Sequence, residues 1–421
     1  MNPMSQKLEV ADVVAGLKSG MTVFVPGLAG ESLAFHEALK AAPDKAAGVR
    51  FVGLHFPGIN RSDYLGLHPQ ARQRAYVMTP GLRPGLADGR AELATLDYPG
   101  IYRDLAARAG KVDLVIAQVS PPDASGTCSF GPSSDFHPAV WAKAKRRVLH
   151  INPNVPRTRG SFAVKLAEVD GWFEADSALV HYDAGSSSPA IEQHAALVAS
   201  LVRDGDTLEF GVGKLPGAIL AALANHRSLR IWSGMVTDAV SKLVDAGAIA
   251  AKGAIDAGVA LGDAAYYARL ERDDSYFFRP VSETHDIRRI AAIDNFCAIN
   301  SAVEVDLFGQ VNADSLNGKL MTGVGGLPAF VAGAQLSNGG RSIVALPAAT
   351  DDGRFTRIVS RFNNGLVALP RHAADYVVTE HGIAELRGRD LRGRAEALIA
   401  VAAPSFRAQL AAEWDEILRK L

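Results

Sequence analysis

The sequence has little of what marks secreted, metal-binding or nucleic-acid-binding proteins. Its 421 residues include two cysteines, Cys128 and Cys297, whose spacing fits neither a disulfide framework nor a metal site. Lysine and arginine total 44 against 45 aspartates and glutamates, so the net charge of −1 gives no argument for nucleic acid or an anionic membrane surface. Residues 1–14 lack the basic and then apolar pattern of a secretory signal. We therefore expect a cytoplasmic protein that holds no metal.

Long uninterrupted apolar runs are also absent. Residues 246–265 are rich in alanine and glycine, but Lys252, Asp256 and Asp263 interrupt them, which argues against a membrane span. Hydrophobic residues make up 48% of the chain and charged residues 21%, which is typical of a globular enzyme. A chain of 421 residues is too long for one ordinary domain, so we expect two or three.

Short apolar runs and glycine turns recur in the order expected of an α/β protein. Residues 20–27 have the pattern of a turn, a buried strand and a glycine turn, and a helix is predicted near residues 31–42. Residues 205–213 repeat this pattern before a predicted helix near residues 216–224. Further strand-like runs lie at 112–119, 147–151, 177–182, 342–346 and 376–379. The pattern predicts an α/β fold with two related, open, mainly parallel sheets.

A polar stretch with one proline, residues 183–189, has the composition of a linker. We therefore predict an N-terminal α/β domain over residues 1–185 and a C-terminal α/β domain over residues 190–421.

Residues 299–326 form the stretch around which the chain is organised. They begin as an apolar strand over residues 299–305, continue through short polar residues and end in the loop Gly323-Val324-Gly325-Gly326. Three glycines in four residues allow a backbone to approach a bound group closely and to direct N–H donors at it. A polar, glycine-rich loop after a buried strand fits a functional site, although an ordinary strand and hairpin would have the same composition.

A second glycine loop, Gly211-Val212-Gly213, follows a predicted strand and opens a predicted helix. Pro216 suits the first turn of that helix, and a helix N-terminus favours an anion such as the phosphates of a nucleotide-bearing cofactor. The loop lacks the third glycine of the dinucleotide-binding pattern and has no Gly-Lys-Ser/Thr ending, so it is weak support for NAD and none for a P-loop. By itself the loop fits a structural turn somewhat better than a binding site.

Several motifs occur in a fixed order along nearly the whole chain. They are the VSPPD and CSFG segments within 119–131, INPNVPRTRG at 151–160, DGDTLEFGVGKLP at 204–216, INSAVEVDLFGQVNADSLNG followed by GVGG, GGRSIVALPA at 339–348, VVTEHGIAELRG at 377–388 and APSFR at 403–407. Together they resemble the acetyl-CoA hydrolase/transferase family, which includes 4-hydroxybutyrate CoA-transferases.

The resemblance implies two domains of the CoA-transferase fold, an acyl-CoA substrate in the interdomain cleft, a carboxylic acid as acceptor and a homodimer. It implies no permanently bound cofactor, because coenzyme A enters as part of the substrate. In the family a glutamate carboxylate attacks the acyl-CoA carbonyl, and the resulting anhydride becomes a glutamyl-CoA thioester that the acceptor then attacks. Backbone N–H groups stabilise the oxyanions. By resemblance, Gly325 and Gly326 would take that role, while Gly211, Val212, Gly213, Pro216, Gly323 and Val324 would line the coenzyme A site.

The sequence departs from the family pattern where the nucleophile should be. The family has Ile-His-Ser/Thr-Glu-Met, whereas residues 231–235 are Ile-Trp-Ser-Gly-Met, so Gly234 stands at the glutamate position and Trp232 at the histidine position. After Gly326 the family commonly has Gln-Val-Asp-Phe, and residues 327–330 are Leu-Pro-Ala-Phe. The resemblance therefore leaves the usual glutamyl-CoA route without its carboxylate.

Water is the smallest nucleophile that could replace the glutamate, and it would need a base. His55 and His285 are the two candidates to test first, and the remaining candidates are His137, His381, Glu209, Glu283 and Glu380. Three functions stay open: a CoA-transferase, a hydrolase acting on the thioester or on a C–C bond of a β-keto acyl-CoA, and a non-catalytic acyl-CoA-binding protein. None of them involves nucleic acid or a membrane.

Overall fold

The computed structural model describes residues 5–250 and 252–421. Part of the signal-peptide prediction falls on residues 1–4, which lie outside the described residues. Two compact units can be separated. The first unit contains the described residues up to Asp183, together with Gly234–Asp238 and Ile255–Thr284. The second unit contains Ala184–Ser233, the described residues of Ala239–Ala254, and His285–Leu421. The predicted domain bounds remain a prediction.

The described residues up to Asp183 alternate between strands and helices. In chain order the elements are β1 Gln6–Lys7, α1 Val10–Ala15, β2 Thr22–Phe24, α2 Leu33–Ala41, β3 Arg50–Gly53, β4 Arg72–Ala75, α3 Leu82–Ala87, β5 Ala91–Leu93, α4 Tyr98–Arg108, β6 Leu114–Val119, β7 Thr127–Ser129, α5 His137–Trp141, β8 Arg147–Ile151, β9 Ala163–Lys165 and β10 Gly171–Glu174.

The elements of the remaining chain follow in order. They are α6 Pro189–Ala199, β11 Thr207–Phe210, α7 Lys214–Ala222, β12 Arg230–Thr237, α8 Asp238–Asp245, β13 Ile255–Leu261, α9 Ala264–Leu270, β14 Tyr276–Phe278, α10 Val281–Thr284, α11 Ile287–Ala291, β15 Phe296–Ser301, β16 Glu304–Asp306, β17 Val311–Asn312, β18 Ser315–Leu316, β19 Lys319–Leu320, α12 Leu327–Leu336, β20 Arg341–Ala345, β21 Ile358–Val359, β22 Tyr376–Thr379, β23 Gly382–Glu385, α13 Leu391–Val401 and α14 Arg407–Leu418.

The first unit is built on a parallel sheet with the strand order β1-β10-β8-β6-β2-β3-β4-β5. Its central strand β6 is buried along its whole length, which explains its almost continuous apolar sequence. One core cluster on this sheet contains Val115 and Leu149, and another contains Leu114 and Val148, so successive residues of one strand enter different cores. The unit therefore carries helices and loops on both faces of its sheet.

In the second unit the strand order is β12-β11-β15-β20-β22-β23. These pairings are parallel except for the antiparallel edge pair β22 and β23. Helices α11, α12, α13 and α14 contribute to a core cluster on this sheet, with Phe296, Val344 and Val377 from its strands. A small three-stranded sheet of β17, β16 and β21 follows the end of β15. The predicted α/β fold with mainly parallel sheets is confirmed.

Local predictions succeed where an apolar run lies between turn residues. The strands predicted at 147–151 and 376–379 have those bounds as β8 and β22, and the helix predicted near 31–42 is α2. The strand predicted at 177–182 is wrong. Its backbone pairing is limited to an isolated parallel bridge between His181 and Gly262. Elsewhere side chains bond the segment: the Asn152 amide donates to the Ser177 carbonyl, and the Tyr267 hydroxyl donates to the Val180 carbonyl.

The single strand predicted over residues 299–305 is also wrong. The chain leaves the large sheet after Ser301, and β16 begins at Glu304 in the small sheet. An apolar run does not reveal such a change of sheet, because each half is buried in its own pairing. No helix in the described ranges is long and apolar enough to cross a bilayer.

Candidate active site

The glycine loop at residues 323–326 lies between β19 and helix α12. Gly325 has φ +58°, in the left-handed region that favours glycine. Gly326 is the N-cap of α12, with Pro328 in the first turn, where its missing N–H costs nothing. The sequence identified the loop but not the ten-residue helix that it opens. A helix N-terminus favours negative charge, which suits the predicted oxyanion role of Gly325 and Gly326; that role stays a prediction.

His285 packs directly beneath Gly326. A Cβ atom placed on Gly326 would lie 2.4 Å from the His285 Nε2 atom and 2.8 Å from Cε2 of Phe330, so only glycine fits there. The rings of His285 and Phe330 have centroids 4.5 Å apart. The His285 side chain is 2% exposed, and burial lowers its pKa to about 3. An imidazole that stays neutral and resists protonation is a weak base, so this geometry favours a packing role for His285.

The residues that depart from the family pattern after Gly326 belong to the core. Leu327 and Ala329 are buried, and Leu327 and Phe330 join the same cluster as Ile290. Apolar side chains are therefore the stable choice at these positions, since a buried polar group without a partner would cost a few kcal/mol.

The second predicted base, His55, lies two residues after β3 in the first unit. It is 6% exposed, and neither ring nitrogen has a hydrogen-bond partner among the described residues. Its ring centroid is 5.4 Å from that of Tyr64. Burial lowers the pKa of His55, although the charge of Glu31 opposes this shift. His55 is therefore held as a neutral imidazole, and its role as a base stays a prediction.

The loop Gly211-Val212-Gly213 connects β11 to α7, as the sequence predicts. A Cβ atom on Gly211 would meet nothing within 4 Å, while Gly213 has φ +133°, a conformation that side-chain-bearing residues rarely adopt. Helix α7 begins at Lys214, an exposed cation that the sequence reasoning did not single out, and Pro216 is its third residue. An open glycine loop beside a lysine and a helix N-terminus suits the phosphates of coenzyme A. The assignment of Gly211, Val212, Gly213, Pro216, Gly323 and Val324 to that site stays a prediction.

Gly234 lies within β12 and brings no functional side chain. Its carbonyl oxygen would lie 2.7 Å from a Cβ atom placed on Gly258 of β13, so the backbones pass each other closely here. Both glycines belong to the first unit, as His55 does, whereas His285 and the two glycine loops belong to the second.

A buried carboxyl group lies next to the Gly211 loop. Glu209, the third residue of β11, is 4% exposed and accepts a hydrogen bond of 2.7 Å from Nδ2 of Asn300 on β15. Burial raises the pKa of Glu209 to about 8, and the Asn300 hydrogen bond opposes that shift. Glu209 was one of several candidate bases in the sequence, but its partner, 91 positions away, could not be read from any motif.

The polar residues between β15 and the glycine loop build a different feature. Asn312 is fully buried, and its amide donates to Glu304 and to the Ser315 carbonyl, at 3.0 Å each. Glu304 also lines a cavity of about 380 Å³, together with Asn317, Arg361, Asn364 and Glu413 among others. None of the predicted site residues lines this cavity. Across the described ranges, no three His, Cys, Asp or Glu side chains are grouped to hold a metal ion.

Comparisons with known proteins cover nearly the whole chain. The model of the acetyl-CoA hydrolase/transferase N-terminal domain matches residues 3–181, and that of the C-terminal domain matches residues 262–414. The 4-hydroxybutyrate coenzyme A transferase of Clostridium kluyveri is 33% identical over 427 residues, which covers 98% of each chain.

Solved structures show the same architecture. RipA from Yersinia pestis aligns with a TM-score of 0.89 at 27% identity, covering 98% of this chain and 97% of RipA. The 4-hydroxybutyrate CoA-transferase of Porphyromonas gingivalis aligns with a TM-score of 0.80 at 28% identity, covering 99% and 98%. The predicted CoA-transferase fold is thereby confirmed, and the chain belongs to the acetyl-CoA hydrolase/transferase family.

Proposed function

We propose that this chain hydrolyses an acyl-CoA thioester, with water as the nucleophile. Membership of the family makes it an acyl-CoA transferase or an acyl-CoA hydrolase. The observation that carries hydrolysis is Gly234: the residue that the motif aligns with the family's nucleophilic glutamate has no side chain, so no covalent acyl or CoA intermediate can form there.

Addition of water to the thioester also requires a site for the oxyanion and a site for coenzyme A, and the two glycine loops suit these roles. The Gly325 and Gly326 loop at the start of α12 offers backbone N–H groups for the oxyanion that forms when water adds to the thioester carbonyl. The Gly211 loop and Lys214 offer a place for the phosphates of coenzyme A. Each of these features serves addition of water as well as it serves addition of a carboxylate.

A second candidate function is CoA transfer through a carboxylate at another position. Glu209 favours it, because it is a buried carboxyl beside the Gly211 loop, and the matched relative from Clostridium kluyveri is named a transferase. Against it, an anhydride and then a glutamyl thioester need room around the carboxyl carbon. Glu209 is 4% exposed and is held by Asn300, so an acyl group and then a thiolate would each have to reach a carboxyl carbon that is almost fully buried.

We further infer that the chain works as a homodimer in the cytoplasm, with no cofactor beyond the coenzyme A of its substrate. The family resemblance and the near-neutral composition support this inference. The domain bounds of 1–185 and 190–421 are proposed on the same basis.

Incubation with acetyl-CoA, butyryl-CoA, 4-hydroxybutyryl-CoA and acetoacetyl-CoA in ¹⁸O-labelled water tests the proposal. Each is assayed with and without a carboxylate acceptor, and free CoA, acids, acyl-CoAs and intact protein mass are followed together. Hydrolysis predicts acceptor-independent CoA release, one ¹⁸O in the acid and no protein adduct. A new acyl-CoA that requires the acceptor, together with a CoA-sized mass gain on the protein, would establish transfer instead.

A further inference from the structure

Glu209 and Asn300 form a polar pair on neighbouring strands of the second unit. Strands β11 and β15 are parallel, and Glu209 lies opposite Ala298, two residues before Asn300. Residues two apart on a strand share one face of the sheet, so both side chains lie on the same face. The Asn300 amide donates to Oε2 of Glu209 at 2.7 Å. The pair therefore depends on the register of two strands and is fixed by the backbone.

The two carboxyl oxygens of Glu209 differ in their hydrogen bonding. Within the described residues, Oε1 has no hydrogen-bond partner, whereas Oε2 is held by Asn300. Although the residue as a whole is 4% exposed, Oε1 is not among the fully buried atoms that lack a partner, so solvent reaches it and a water molecule can bond to it.

The location of the pair suits catalysis. Glu209 is followed after one residue by the open Gly211 loop, at the carboxyl end of β11, and β11 lies between β12 and β15 in the sheet. Ligands of open α/β sheets bind at the carboxyl ends of central parallel strands. On β12, Ile231 pairs with Leu208 of β11, and the next residue, Trp232, is partly buried against the core cluster on the same sheet.

We propose that Glu209, positioned by Asn300, is the general base of the hydrolysis proposed above. The Glu209 carboxylate takes a proton from the water as the water oxygen bonds to the thioester carbon. The tetrahedral intermediate then collapses, the C–S bond breaks, and the proton passes from Glu209 to the CoA thiolate. The products are the acid and free CoA, and Glu209 returns to its ionised state.

The surroundings determine when this base is ionised. On the adjoining strand β15, the Cys297 thiol stays protonated because burial raises its pKa. Asp206, directly before β11, is paired with Arg341. At the start of α7, Lys214 is exposed to solvent. Asn300 is the group that contacts the carboxyl, and burial raises the pKa of Glu209 to about 8. Because the base must be ionised, the rate of CoA release should rise with pH up to about 8 and then level off.

Two variants and a control test the role by the pH profile of acceptor-independent CoA release. Glu209→Gln should lower kcat by about 10²- to 10⁴-fold and abolish the rise with pH. Asn300→Ala removes a donor that favours the ionised carboxylate, so the rise should move to higher pH. Asp390→Asn changes a carboxylate at the exposed N-cap of α13, where asparagine caps equally well, and should leave the profile unchanged.

The outcomes separate this role from the proposed function on which it rests. No CoA release by the wild-type protein without an acceptor overturns the hydrolysis. If the wild type hydrolyses acyl-CoA and Glu209→Gln does so with the same rate and pH profile, then Glu209 is not the base, although the protein is a hydrolase. A CoA-sized mass gain on the peptide that contains Glu209 overturns both. If Glu209→Gln fails to fold, as judged by circular dichroism, the pH profile of Asn300→Ala is the test. A rise of CoA release at the same pH as in the wild type refutes the role of Asn300 and Glu209.

Discussion

Gly326→Ala is expected to destabilise the second unit and to lower the activity of the protein. The added Cβ would lie 2.4 Å from Nε2 and 2.7 Å from Cδ2 of His285, and 2.8 Å from Cε2 of Phe330. Both rings are buried against each other, with centroids 4.5 Å apart, so neither can swing into solvent. The backbone of the loop must therefore move, or the two rings must be repacked.

The expected cost follows from overpacking of a buried site, about 1–3 kcal/mol in unfolding free energy. For a unit of about 200 residues, each kcal/mol lowers Tm by roughly 2–4 °C, so a fall of about 2–12 °C is expected in scanning calorimetry. On the oxyanion role proposed for Gly325 and Gly326, activity should fall by about 10²-fold, because a displacement of the loop by about 1 Å would move its N–H groups away from the reacting carbonyl.

Gly211→Ala is the matched control for stability. A Cβ atom there meets nothing within 4 Å, and the position does not require the left-handed conformation. Its Tm should equal or slightly exceed that of the wild type, because alanine restricts the unfolded chain. The packing argument is refuted if Gly326→Ala unfolds with the same free energy as Gly211→Ala, or if a crystal structure shows His285 and the loop unmoved.

Two further perturbations concern buried charges. Asp206→Asn removes the negative charge that pairs with buried Arg341, and leaves the guanidinium with neutral acceptors such as the Leu201 carbonyl. We expect a loss of about 3–5 kcal/mol in urea unfolding, and a loss below about 1 kcal/mol would contradict it. Glu209→Gln should protect stability at alkaline pH. Because the pKa of Glu209 is about 8 in the folded state against an ordinary 4.5, the wild type loses stability as pH rises between these values. The wild type should lose up to about 1.4 kcal/mol per pH unit relative to the variant, and parallel pH curves for the two proteins would refute the raised pKa.

Much of the architecture is local enough to be predicted. Strands β8 and β22 were bounded correctly because each is a short apolar run between turn residues. Both glycine loops were identified because glycine is required where the backbone adopts unusual φ, as at Gly213 and Gly325. The family was recognised because many such motifs occur in one order along the chain, and no tertiary information is needed for that.

The α/β class, the two glycine loops, the family and the glycine at position 234 can all be read from the order of residues alone. Only the tertiary structure decided that residues 299–305 divide between two sheets, that His285 supports Gly326 and is held neutral, and that Asn300 holds Glu209. The physical reason is that parallel pairing joins strands far apart in the chain, so register sets which side chains meet. The pKa of a carboxyl or an imidazole then follows from its burial and its partner, and neither is a property of the local sequence.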